Sequence, residues 1–462
     1  MPKLVSVSHQ LQKIRNVFFS WQGPSALRQI FSATVLIALV SVAAKLGTVG
    51  KELMVANYYG TSDALDAFWV GYMVPAFVVN IIASAFLATV VPLYTEIRTT
   101  RGEEAGRMYS SGLIGWGVVL LMVLSAATIA LARYYLPYLA SGFGPEKLAL
   151  TLRMVYWMAP LIFINGLSSL LLAFLNANKS FVAPALIPAV TPVVIMAGIL
   201  TLRERAGVFA MVIGLLAGQL VELALLWARA KKYVSAFNLE CFKSDEYLRR
   251  TWRQFLPMAA GALVMGSNPL IDQAFAAALP AGSVSALSYG NRLISFPLTL
   301  AAGAIGTAVL PYFAGMIASQ DFAGARNVLR KSLMVIFAVS VPVVLLLVVF
   351  SVPMVRILFQ RGAFTGQDTL LVAQIQALAA FQVPFYLGGI VVVRMVSAFQ
   401  MNQILMWGAV LNLMVNVVAN YIFMHYFGVA GIALSTSLVY FVSFSFVFAS
   451  MCLVLRSKHD SR

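Results

Sequence analysis

Residues 332–355 read SLMVIFAVSVPVVLLLVVFSVPMV, twenty-four residues without a charge. As a helix rising 1.5 Å per residue the run is about 36 Å long, enough to cross the roughly 30 Å hydrocarbon core of a bilayer. Runs of this kind recur along all 462 residues, of which 61% are hydrophobic and only 10% charged, with a mean hydropathy of +0.88. Soluble domains carry about a quarter charged residues, so the chain reads as an integral membrane protein. A membrane β-barrel would show alternating segments of about ten residues, and the sequence has none. The expected fold is all-α and polytopic.

The pattern predicts twelve spans, near residues 30–57, 67–95, 108–132, 152–176, 182–201, 207–229, 255–278, 285–315, 332–357, 370–398, 403–424 and 428–455. Residues 1–29 form an N-terminal tail, where Leu4, Val7, Leu11, Ile14 and Phe18 fall at helical spacing around Lys13 and Arg15. That tail reads either as an interfacial amphipathic helix or as loose chain, and it does not have the form of a cleavable signal. Residues 231–253 form a basic linker between spans 1–6 (30–230) and spans 7–12 (254–456), and 457–462 form a C-terminal tail.

The net charge of +16 does not point to nucleic acid, because the basic residues sit in short loops on alternate sides of the spans. One side collects 21 of the 32 Lys and Arg, seven of them around the central linker, and the other side about six. Cytoplasmic loops carry the excess of Lys and Arg, so both termini are expected in the cytoplasm. Two cysteines, Cys241 and Cys452, give no disulfide framework, and the scattered His9, His425 and His459 give no metal site. No cofactor is expected.

The two sets of six spans resemble each other. Aligning residues 86–113 with 305–332 matches Pro92 to Pro311 and Arg107 to Arg326, and AFLNANKSFVAPAL (173–186) echoes AFQMNQILMWGAVL (398–411). Six spans per copy insert both copies the same way round. Transporters built from such repeats hold substrate between the repeats near the midplane, so two lobes around a central cavity are expected.

Five cations lie within or at the edges of spans: Lys45, Lys51, Arg292, Arg356 and Arg394. A charge at the bilayer centre costs on the order of 2.5–3.5 kcal/mol. Arg356 and Arg394 can snorkel, whereas Lys45 and Arg292 are deep. Lys45 and Glu52 are seven residues apart, hence on one helical face, and a Lys45–Glu52 pair with Lys51 pointing elsewhere is one reading. Asp66 opens span two, where a carboxylate also suits the helix N-terminus. Asp272 and Glu222 read as proton or cation relays, or as partners for Arg292 or a lysine. The stripe Asn412, Asn416, Asn420 reads as hydrogen bonding between helices. Together the cations describe an interior suited to an anionic substrate, since Arg and Lys hold phosphate oxygens.

LFQRGAFTGQDT (358–369), GSVSALSYGNRLISFPLTLAAGAIGTAVLP (282–311) and AAKLGTVGKELMVANYYGTSDALDAFWVGYMVP (43–75) resemble the MviN/MurJ family of lipid II flippases, within the multidrug/oligosaccharidyl-lipid/polysaccharide exporter superfamily. The resemblance covers about residues 30–455. It implies a flippase, not an enzyme, that moves an undecaprenyl-diphosphate-linked peptidoglycan precursor from the inner to the outer leaflet by alternating access. By resemblance, Lys45 and Lys51 stand where the family has arginines in its first helix. Asp66 matches its aspartate, Arg292 matches its helix-eight arginine, and Asn291 precedes that arginine where an aspartate is common. These five would line the headgroup cavity, with Glu52, Glu222 and Asp272 as coupling or charge partners. The implied partners are the lipid-linked glycan, membrane lipids and glycan synthesis enzymes, with the flippase itself a monomer. The family's helix-two arginines are replaced here around Val79 and Asn80, and twelve spans are two fewer than lipid II flippases usually have. A flippase for an exopolysaccharide or O-antigen repeat unit is therefore the alternative. A cation-binding multidrug exporter would favour acidic residues in the cavity, and a glycosyltransferase would need an outer loop with clustered acids or histidines.

Overall fold

The computed structural model describes residues 47–178, 180, 182–234 and 246–460. Lys45 and most of the first expected span lie outside the described residues. Among these residues every regular element is a helix: α1 (residues 47–59), α2 (Asp63–Arg101), α3 (Glu103–Leu139), α4 (Pro145–Met158), α5 (Pro160–Ala177), α6 (Val190–Ala206), α7 (Phe209–Ala230), α8 (Glu246–Ala277), α9 (Ser283–Ala318), α10 (Phe322–Val349), α11 (Ser351–Phe359), α12 (Gly366–Ala380), α13 (Gln382–Ala398), α14 (Asn402–Phe427) and α15 (Val429–Asp460). Nine helical stretches among them are long and apolar enough to cross a membrane. The helices α8 and α9, of 32 and 36 residues, are also long enough to do so.

Among the described residues three expected spans break at a single residue, and the fifth passes through a 3-10 turn at Ile187–Ala189. The fourth breaks at Ala159 before Pro160, the ninth at Phe350 before Ser351-Val352-Pro353, and the tenth at Phe381 before Gln382-Val383-Pro384. Proline lacks an N–H and crowds the carbonyl four residues back, yet fits the first turn of a helix, so each proline opens the helix that follows the break. Spans four and ten both run 33 residues from end to end, and the long α2 and α9 each contain two prolines, Pro75 and Pro92 in one, Pro297 and Pro311 in the other. The matched lengths and breaks support the internal repeat.

Part of the expected linker is helical. Helix α8 starts at Glu246, and its first turns pack on the first half: Tyr109 shares a 2.8 Å hydrogen bond with Thr251, Arg250 pairs with Glu96 at 2.7 Å, and the Arg101 guanidinium lies over the Tyr247 ring.

The apolar core is divided in a way that positions the site. One cluster is built from the first half with Leu248 and Phe255, and a second from Phe313 and helices α10, α13 and α15 of the second half. A third cluster mixes both halves, placing Val55, Leu65, Met154 and Met211 with Leu287, Phe359, Phe364 and Ile432. This shared cluster lies at the end of the molecule that carries the turns at 60–62, 140–144, 278–282 and 360–365. The halves are therefore joined at one end by this shared cluster, whereas towards the other end α8 packs on the first half and α10, α13 and α15 pack in a cluster of their own.

Candidate functional site

The helices α2 and α9 both begin at the joined end, so Trp69 and Arg292 lie at similar depth, about two turns inside their respective helices. Arg292 reaches across from the second half. Its guanidinium carbon stands 4.4 Å from the centre of the Trp69 ring and its Nη1 pairs with Glu52 Oε1. The same oxygen of Glu52 is 2.6 Å from Lys51 Nζ. Two basic side chains thus share one carboxylate in a buried place. Lys51 does not point away from Glu52, contrary to the expectation from helical spacing, because the adjacent long side chain folds back onto the carboxylate. Lys45, the other expected partner of Glu52, is not described.

Arg292 and Asn291 line a cavity of about 460 Å³ between the halves, with Trp69, Asn80, Asp272 and Tyr386 among the other lining residues. Lys51 and Glu52 are not among its lining residues and act on it through Arg292.

Asp66 is not in this cavity. It is 1% exposed and lies within the joined end. Its oxygens accept hydrogen bonds from the backbone N–H of Gly282 at 2.7 Å, the N–H of Ser285 at 2.8 Å, the Ser285 hydroxyl at 2.6 Å and Lys147 Nζ at 2.9 Å. The cap of its own helix is Ser62, which accepts from Leu65 N–H. Asp66 instead caps α9 of the opposite half, so the favourable meeting of a carboxylate with a helix N-terminus occurs between halves. Around it Ala363 N–H donates to Asn57 C=O at 2.8 Å, the Tyr289 hydroxyl to Gly60 C=O at 3.2 Å, and the Thr61 hydroxyl to Asp368. Gly60 and Gly282 have φ of +53° and +86°, and the carbonyl oxygens of Ala363 and Thr61 respectively stand where a Cβ on each would need room. An added Cβ would both strain the left-handed backbone and collide across the seam.

Asp272, 6% exposed, makes no ion pair with Arg292 or with a lysine among the described residues. Its Oδ1 accepts from Asn416 Nδ2 at 2.8 Å and Asn420 Nδ2 at 2.7 Å, and its Oδ2 from the Thr436 hydroxyl at 3.1 Å. Asn412 bonds Ser443 at 3.0 Å, so the asparagine stripe does join helices as expected. The amides could turn to present oxygen, and a carboxylate among amide and hydroxyl oxygens is a donor set for a hard cation. Glu222 is likewise not a partner of Arg292: it accepts from the Thr191 hydroxyl at 2.9 Å and ties α7 to α6.

Sequence reasoning passed over Trp69, Lys147, Ser285 and the Thr61–Asp368 contact. One signal was available: GTSDALD (60–66) and GSVSALS (282–288) share the form Gly-x-x-(Asp/Ser)-Ala-Leu-(Asp/Ser) and mark the same turn in each half.

The comparisons with known proteins agree with this architecture. Residues 55–458 match the family model described as lipid II flippase MurJ. The chain is 26% identical over 422 residues to the lipid II flippase MurJ of Burkholderia cenocepacia, covering 88% of this chain and 80% of that relative. Among solved structures it superposes on one described as lipid II flippase MurJ in an inward closed conformation, with a TM-score of 0.79, 22% identity, and coverage of 90% and 87%. It also superposes on an inward-facing multidrug resistance transporter of the MATE family, with a TM-score of 0.76, 15% identity, and coverage of 92% and 99%.

Proposed function

The chain belongs to the lipid II flippase MurJ family, and on that premise we propose how its own residues move a diphosphate-linked lipid across a membrane. The observation that carries the reading is the Lys51–Glu52–Arg292 cluster, which joins α1 of one half to α9 of the other beside the central cavity. The substrate is an undecaprenyl-diphosphate-linked peptidoglycan precursor. Its headgroup enters between the lobes while the prenyl chain stays in the bilayer. The diphosphate takes the Arg292 guanidinium from Glu52, exchanging one anion for another, so the arginine is never left uncompensated in a low dielectric. Arg292 then contacts the phosphate oxygens directly, Asn291 donates beside it, and Lys51 supplies a second positive charge.

The count of loop cations sets the joined end outward, with both termini in the cytoplasm. In that orientation the structure is closed to the outside by Asp66 and its neighbours, and rocking of the lobes breaks those bonds to expose the headgroup on the far side. Asp272 is the coupling residue: a cation or proton entering its Asn416–Asn420–Thr436 surroundings changes the charge of the cavity wall. Asp272→Asn is expected to retain membrane level and lose coupling, read as transport in vesicles that no longer responds to an imposed ion gradient.

The test is complementation of bacteria depleted of their own lipid II flippase, with membrane expression verified. Rescue by the wild-type chain and failure of Arg292→Ala is the expected result. Rescue by both would remove Arg292 from the transport path. Failure of a well-expressed wild-type chain would move the substrate to another polyprenyl-linked glycan, such as an exopolysaccharide or O-antigen unit.

A further inference from the structure

A groove larger than the central cavity lies on the flank of the second half, between α10 and α15, with a volume of about 1310 Å³. Its walls are apolar, with Leu333, Phe337 and Phe448 among them, and one end carries three guanidiniums, Arg326 and Arg330 from α10 and Arg456 from α15. No acidic residue is among the described residues that line it. Arg326 and Arg330 are one turn apart on the same helical face, and both are exposed. From Arg326 to Phe337 the groove follows about 16 Å of helix axis at 1.5 Å per residue. That is roughly half of the ~30 Å hydrocarbon thickness, the depth of a single leaflet.

We infer that this groove is a binding site for an anionic phospholipid of the surrounding bilayer, whose phosphate sits among Arg326, Arg330 and Arg456 and whose acyl chains fill the cleft between α10 and α15. Charge and length argue for this occupant together. Basic residues at a membrane surface attract anionic lipid, a guanidinium cluster matches phosphate oxygens, and the apolar cleft stops where one leaflet's chains stop. A lipid in this position fills space between two helices that otherwise meet sparsely, and so stiffens the second lobe. The inference does not depend on what the central cavity carries.

The test is native mass spectrometry of the full-length chain extracted in mild detergent, with palmitoyl-oleoyl phosphatidylglycerol or phosphatidylcholine of the same chains added. The wild type is expected to retain phosphatidylglycerol adducts and to shed phosphatidylcholine. R326Q/R330Q is expected to weaken phosphatidylglycerol retention on the order of tenfold or more. Ala449→Trp, which fills the cleft without changing its charge, is expected to weaken it as well and keeps the test open should the double variant express badly. Equal retention of the two lipids, or unchanged retention in both variants, would overturn the proposal. Displacement of phosphatidylglycerol by added undecaprenyl diphosphate would overturn it too, by assigning the groove to the carried lipid.

Discussion

Two buried carboxylates bridge the halves of this protein, and they do so in opposite ways. Asp66 is saturated: two backbone N–H groups, a hydroxyl and a lysine converge on it from fixed positions. Among the described residues Glu52 meets the two flexible cations Lys51 and Arg292. A carboxylate held by backbone donors at a helix N-terminus is a latch, because its partners cannot leave without the helix. A carboxylate held by long side chains is exchangeable, because a guanidinium can turn to a better anion while the helices stay in place. The position of each along the seam matches its role, Asp66 among the turns of the closed end and Glu52 deeper, beside the cavity.

The largest effect expected from breaking this contrast is at the latch. Asp66→Ala leaves the Gly282 and Ser285 N–H groups and Lys147 without their shared acceptor. Removing one partner of a buried charged network costs on the order of 3–5 kcal/mol, close to what is needed to invert a two-state population from 1:99 to 99:1. Spin labels at the exposed positions of Tyr138 and Ile357, one on each half, are expected to acquire a longer distance in Asp66→Ala. An unchanged distance distribution would remove Asp66 from the gate.

Glu52→Gln makes the opposite prediction. Loss of the competing anion is expected to tighten binding of a diphosphate headgroup on the order of tenfold, equivalent to about 1.4 kcal/mol, while slowing its release. Binding to the purified variant reads this directly, and weaker binding would show that Glu52 positions the cations instead of yielding them. The smallest effect is expected at Trp69. Trp69→Phe keeps an aromatic face under Arg292, so binding is expected to fall by about 0.5–1 kcal/mol, whereas Trp69→Leu removes the ring and should fall further. Equal effects of the two substitutions would assign Trp69 to packing alone.

The membrane-spanning helices, the prolines that recur in both halves and the presence of a deep Arg292 were legible in the sequence. Each follows from a property that acts along the chain: apolar run length, recurring prolines, and the high cost of an unexplained arginine in an apolar span. The pairing of Lys51 with Glu52 was misread, because spacing on an ideal helix fixes where Cβ atoms point but not where four-carbon side chains end. Asp66 was misplaced for a related reason. Its position near a helix start was evident, but the helix it caps lies 216 residues further on.

What the sequence determined by itself is therefore the solvent the chain lives in, since burial in lipid depends on composition averaged over twenty residues at a time. It also determined the inventory of charges that must be satisfied there. The tertiary structure alone decided which charges satisfy which. In a low dielectric each buried ion takes the partner that the packing of the two halves brings within about 3 Å, and that choice divides Asp66 at the seam from Glu52 at the cavity and from Asp272 among its asparagines.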